Sequence, residues 1–170
     1  MKNLFIYTPE NTPREEVGLK KSKKEYRVFL AGTIDNGTSE NWQREVIEIL
    51  NPNMVTIGVY NPRRDNWVPN AGHEEVMKQI DWEQRALEKV DHIFMVFLDN
   101  SKSPISFLEL GMYCRSKKIT VFCTKNFYRY DNVLDTCERY GIELVDSTNS
   151  SIIARKIMSK AADYATINHS

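Results

Sequence analysis

No sign of charge dominates this chain, cysteine is scarce, and no apolar run is long enough to cross a bilayer. Lys plus Arg and Asp plus Glu each number 23. No overall field therefore draws in a nucleic-acid polymer or an anionic membrane, and any recognition must be local. The three cysteines, Cys114, Cys123 and Cys137, form no CxxC pair, which speaks against a zinc knuckle or a disulfide framework and leaves them as small apolar filler. The opening Met1-Lys2-Asn3-Leu4-Phe5-Ile6-Tyr7 is too short and too soon polar for a signal peptide, so a cytoplasmic protein is expected. Repeats and low-complexity blocks are also missing. No ligand cluster for a metal or a redox cofactor is visible, and none is expected.

What is present is an ordinary globular composition of 170 residues, 41% hydrophobic and 11% aromatic, enough for one domain with a packed core. Residues 1–25 read as an N-terminal extension and solvated linker: a short apolar run at Leu4 to Tyr7, then Pro13, Arg14-Glu15-Glu16 and the cluster Lys20-Lys21-Ser22-Lys23-Lys24. That cluster reads as a soluble hinge rather than a phosphate contact. Residues 26–170 read as the domain proper. Apolar runs at 27–31, 55–60, 92–98, 119–123 and 142–145 alternate with helical periodicity over 40–50, 73–90, 104–116, 133–140 and 150 to about 164. This alternation predicts an α/β three-layer sandwich with a five-stranded parallel sheet of flavodoxin-like or Rossmann-like order. Ligands of such sheets bind at the carboxyl ends of the strands, and the loops that follow the strands here are conspicuously polar.

Two carboxylates fall where apolar residues are expected. Over 73–90 the stripe Val76, Ile80, Leu87 and Val90 marks a buried face, with Glu83 in its middle. Over 104–116 the residues Ile105, Leu108 and Met112 mark the buried side, and Glu109 sits among them. Ser103 suits the N-cap of that helix, Pro104 its first position, and Gly111 leaves room for a close approach. A carboxylate aimed at a core needs a partner or a polar cavity. Either glutamate alone reads as paired with a buried arginine or as capping a loop. Two on helices flanking one strand are what glycosidic chemistry uses, one attacking the anomeric carbon and another group handling a proton or orienting the sugar.

These residues belong to longer motifs. Val28-Phe29-Leu30-Ala31-Gly32-Thr33-Ile34, Trp42-Gln43, Tyr60-Asn61-Pro62-Arg63-Arg64-Asp65-Asn66-Trp67, Gln79-Ile80-Asp81-Trp82-Glu83, Ser103-Pro104-Ile105-Ser106-Phe107-Leu108-Glu109-Leu110-Gly111 and Phe127-Tyr128-Arg129-Tyr130-Asp131-Asn132-Val133 together resemble the nucleoside 2-deoxyribosyltransferase-like family over about residues 26–145. The resemblance implies a homo-oligomer with a retaining mechanism on nucleosides or their 5′-monophosphates, a nucleobase serving as acceptor. Glu109 matches the family nucleophile, which carries the glycosyl group. Glu83 stands where an acidic residue, commonly Asp, helps hold the sugar and assist attack. Ser103 falls where the transferases carry an aspartate that handles the base proton, and where related nucleotide hydrolases carry a phosphate-binding serine.

Around these, Lys102, Arg63 and Arg64 can complete a phosphate cradle, although the two arginines equally suit a surface pair closing their loop on Asp65. Gly32 lets the backbone approach a ligand whose hydroxyls Asp35 or Asn36 can reach, while Asp-Asn-Gly is also simply a turn. Asn61 lies in the same set of loops. Trp67, Trp82 and Phe127 can stack on a base or fill the core. Asn132 reads as a helix N-cap or, by the resemblance, as a contact across a subunit interface. Two rivals to a transferase stand: a nucleotide N-hydrolase that uses water, and a module that binds or senses a nucleotide without turnover.

Overall fold

The computed structural model describes residues 3–20, 24–52, 55–65 and 71–167. Lys21, Ser22 and Lys23 of the lysine cluster and the aromatic candidate Trp67 lie outside these residues, as does the side chain of Asn36.

Six strands form one parallel sheet: β1 (Leu4–Tyr7), β2 (Glu25–Gly32), β3 (Thr56–Tyr60), β4 (His92–Phe97), β5 (Ile119–Cys123) and β6 (Glu143–Val145), in the order β1-β3-β2-β4-β5-β6. Strands covered on both faces must be apolar throughout, and every residue of β4 and β5 is buried. From β2 onward the order is that of flavodoxin-like sheets.

The sheet has six strands where five were expected, and the added one is β1. A four-residue run carries too little periodicity to be distinguished from loop. Tertiary contacts hold it at the edge of β3. The Tyr7 hydroxyl donates to the buried Glu25 carboxylate at 2.7 Å, and its ring stacks on Tyr60 at 4.6 Å. The chain that follows is docked as well: Val17 is fully buried, and the Gly18 amide donates to the Tyr60 hydroxyl at 2.8 Å.

One face of the sheet carries α1 (Trp42–Ile49) and α5 (Ser150–Ile167), packed on Val28, Leu30, Val59, Phe94 and Phe122. The other face carries α2 (His73–Lys89), α3 (Pro104–Tyr113) and α4 (Tyr130–Tyr140), packed on Phe29, Ala31, Ile93, Met95 and Val121. On this second face two expected helix orientations are corrected. In α2, Leu87 is buried as expected, and Val90 just beyond the helix is buried too, but Val76 and Ile80 are exposed. In α3 the buried residues are Ser106, Glu109 and Leu110, while Ile105, Leu108 and Met112 face outward. Apolar residues ring α3, so the period alone could not choose between its sides.

Candidate active site

The order of the strands reverses beside β2, whose neighbours are β3 and β4, and a ligand crevice is expected at the carboxyl end of such a switch point. A cavity of about 480 Å³ opens there, lined from β2 and its loop by Phe29, Gly32 and Asp35, from α2 by Gln79 and Glu83, and from α3 by Ser106 and Glu109. Ser103, Lys102 and Arg64 also line it. The cavity thus brings together Glu109, Glu83, Gly32, Asp35, Arg64 and Ser103 of the sequence-derived candidates.

Gly32 sits where β2 and β4 pair, with φ of 130°, and a Cβ there would lie 2.1 Å from the Val96 carbonyl oxygen. Only glycine keeps the sheet closed at this point. Next to it the Thr33 hydroxyl accepts from the Leu98 amide at 3.0 Å and contacts the hydroxyls of Ser101 at 2.9 Å and Ser103 at 2.6 Å. Ser101 and Ser103 also touch each other. Ser103 has a left-handed backbone and occupies the N-cap position of α3, but its hydroxyl makes no capping bond. It is held in the buried hydroxyl cluster at the mouth of that helix instead.

Glu109 is 7% exposed. Burial, reinforced by the negative charge of Glu83, pushes its carboxyl up to about 8 from an ordinary 4.5. Glu83 is half-buried, and burial raises it too, but a hydrogen bond from Gln79 and the charge of Arg64 oppose that rise. Burial thus raises both carboxyls, and the donor and the cation beside Glu83 favour its charged form, whereas Glu109 has the charge of Glu83 against it. Arg64 reaches Glu75 at 2.8 Å, and its Nε is buried with no hydrogen bond to any described residue.

Five candidates are placed elsewhere. The Arg63 guanidinium donates to the carbonyls of Gly37, Ser39 and Glu40 and to the Ser39 hydroxyl, at 2.7 to 3.2 Å, and so clamps the loop after β2. Asn61 accepts from the Arg63 amide at 3.0 Å in its own turn. Trp82 is core, tilted against Phe29 and Tyr60, and Phe127 likewise packs on Phe97 and Phe107. Asn132 is exposed in the first turn of α4, which begins at Tyr130, so it is no N-cap.

Sequence reasoning assigned no role to Gln79, Thr33, Ser101 or Ser106. For Gln79 a signal existed in its spacing, four residues before Glu83 on one helix. For the hydroxyls none did, since serine and threonine in loops are commonplace.

Among the described residues no group of three or more His, Cys, Asp and Glu side chains is placed to hold a metal ion, and no helix is long and apolar enough to cross a membrane. The sequence profile of a family described as nucleoside 2-deoxyribosyltransferase like matches residues 25–127, more than half of the 170. No curated protein matches the chain.

Proposed function

The chain belongs to the nucleoside 2-deoxyribosyltransferase-like family, and on that premise we propose that it cleaves or transfers the N-glycosidic bond of a (deoxy)nucleoside or its 5′-monophosphate through a glycosyl-enzyme intermediate on Glu109. The observation that carries this reading is the Glu83 and Glu109 pair lining one cavity at the sheet's switch point.

In this mechanism Glu109 first gives its proton to Glu83. The freed carboxylate attacks C1′ and forms the C1′–O bond as the C1′–N bond breaks. The departing base takes the electron pair and is protonated by Glu83, a role that the serine at 103 cannot fill. A second base or water then attacks C1′, returns the bonding pair to Glu109 and leaves its proton on Glu83. Burial of Glu109 supports the division of labour, because a desolvated carboxylate is a stronger nucleophile once charged.

Water as acceptor is favoured by one observation. Ser103, Ser106 and Lys102 line the cavity around the start of α3, where backbone N–H groups and the helix dipole suit a 5′-phosphate, as in a nucleotide N-hydrolase.

A homo-oligomer fits the outer surface of the same helices. Val76, Met77, Ile80, Ile105, Leu108 and Met112 are between 40% and 60% exposed, and a side chain at Gly111 would meet nothing within 4 Å. An apolar patch of this kind beside a cavity is the mark of an interface. The enzyme is read as working in the cytoplasm, where its substrates are metabolites.

The test is chromatography of free base released from a panel of deoxynucleosides and 5′-monophosphates, with and without an added acceptor base. Base exchange indicates a transferase, and release indifferent to acceptor indicates a hydrolase. Binding without release on every substrate would sink the enzyme reading in favour of a nucleotide sensor.

A further inference from the structure

The side-chain amide of Gln79 stands between the two elements that flank Glu83. Its Nε2 donates to Glu83 Oε1 at 2.8 Å and to the carbonyl of Pro62, in the loop after β3, at 3.0 Å. Both partners are acceptors only, so the amide orientation is settled: the nitrogen must face them, and both of its hydrogens are committed. Gln79, Glu83 and Pro62 all line the cavity. Resting on the glycosidic reading above, we infer that Gln79 is a positioning residue for the reaction: its doubly committed amide fixes the Glu83 carboxylate toward Glu109 and keeps the negative charge of the pair on Glu83 before substrate binds.

The surroundings support this assignment. Arg64, from the same loop as Pro62, is the cation acting on Glu83, and its Nη1 is already engaged by Glu75. Across the cavity Glu109 repels, while Asp35 and Lys102 line the walls from the β2 loop and the start of α3. Gln79 is thus the neutral donor bonded directly to Glu83, and a hydrogen bond to the charged form is what holds a carboxylate ionised in a desolvated place. Without it the charge preference between two buried carboxyls narrows, and the proton of Glu109 loses its acceptor.

The test is Gln79→Met, which keeps the volume and removes the donor. Carboxyl titrations of the 13C-glutamate-labelled protein, assigned with Glu83→Gln and Glu109→Gln, are compared with pH profiles of base release. The inference predicts that Glu83 titrates about one pH unit higher in the variant and Glu109 lower. It also predicts that kcat falls about ten-fold with KM within two-fold, and that the acidic limb moves up by about one unit. Titrations that match the wild type, in a variant that melts normally, would overturn it. So would a change confined to KM. The titration does not require turnover: if no substrate releases base but the two carboxyl titrations still move toward each other, the glycosidic reading fails and the assignment of Gln79 stands.

Discussion

The two faces of the sheet are built differently. On one, α1 and α5 pack against each other and the sheet, and Trp42, Val46, Ile153 and Ile157 are essentially inaccessible. On the other, α2 and α3 part toward the carboxyl end of the strands, and the gap holds a cavity rimmed by exposed apolar side chains and floored by two carboxyls. The closed face keeps the strands in register. The open face uses that rigidity to hold two buried carboxyls at one cavity, which no flexible surface would do. Stability and chemistry should therefore separate by face when residues are changed.

The largest expected effect is on the open face: Glu109→Gln should lower base release at least about a thousand-fold, measured as initial rates, while leaving the far-ultraviolet circular dichroism unchanged. On the closed face Ile153→Ala should do the reverse. Deleting three methyl or methylene groups from a fully buried site costs about 2 to 4 kcal/mol, read as a lower midpoint in urea, with the rate per folded molecule unaltered. A loss of rate without loss of stability there would break the comparison.

Charge sharpens it further. The Glu109 carboxyl lies above its ordinary value in the folded chain, so between about pH 4.5 and about pH 8 the folded state binds its proton more tightly than the unfolded state. That contribution to stability is present at low pH and is lost as pH rises through this window. Glu109→Gln removes the dependence, so at pH 8 the variant should be more stable than the wild type by roughly 4 kcal/mol, and at pH 4 indistinguishable from it. Thermal melts across pH check this. The smallest effect on the isolated chain should come from Leu108→Lys, within about 0.5 kcal/mol for an exposed position. Sedimentation should nevertheless show a smaller species than the wild type forms, because the substitution places charge in the apolar patch.

The central five strands were legible in the sequence because strands buried on both faces must be apolar, and their ends matched to within a few residues. β1 was not, since what holds it is the pairing of Tyr7 with Glu25 and Tyr60, residues 18 and more positions away. Glu83 and Glu109 stood out as carboxylates among apolar neighbours, and both line the cavity. The faces around them were misread for a physical reason: α3 is apolar all round, and the first half of α2 exposes Val76, Met77 and Ile80 beside the cavity, so an apolar side chain there does not mark the core. Arg63 and Trp82 were ambiguous because a guanidinium that clamps a loop and an indole that fills a core have the same composition as ligand contacts. Their hydrogen-bond and ring partners, not their identities, place them outside the cavity.

The claim on which the rest depends is a covalent bond from Glu109 to the sugar. Intact-protein mass spectrometry after mixing with a 2′-deoxy-2′-fluoro nucleoside or its 5′-monophosphate, whose electronegative substituent slows breakdown of a glycosyl-enzyme, measures it directly. The account predicts an added mass equal to the fluorinated sugar or sugar phosphate, located by peptide mapping on Glu109 and lost in Glu109→Gln. Base release that proceeds in Glu109→Gln at the wild-type rate, with no adduct on either protein, would contradict it.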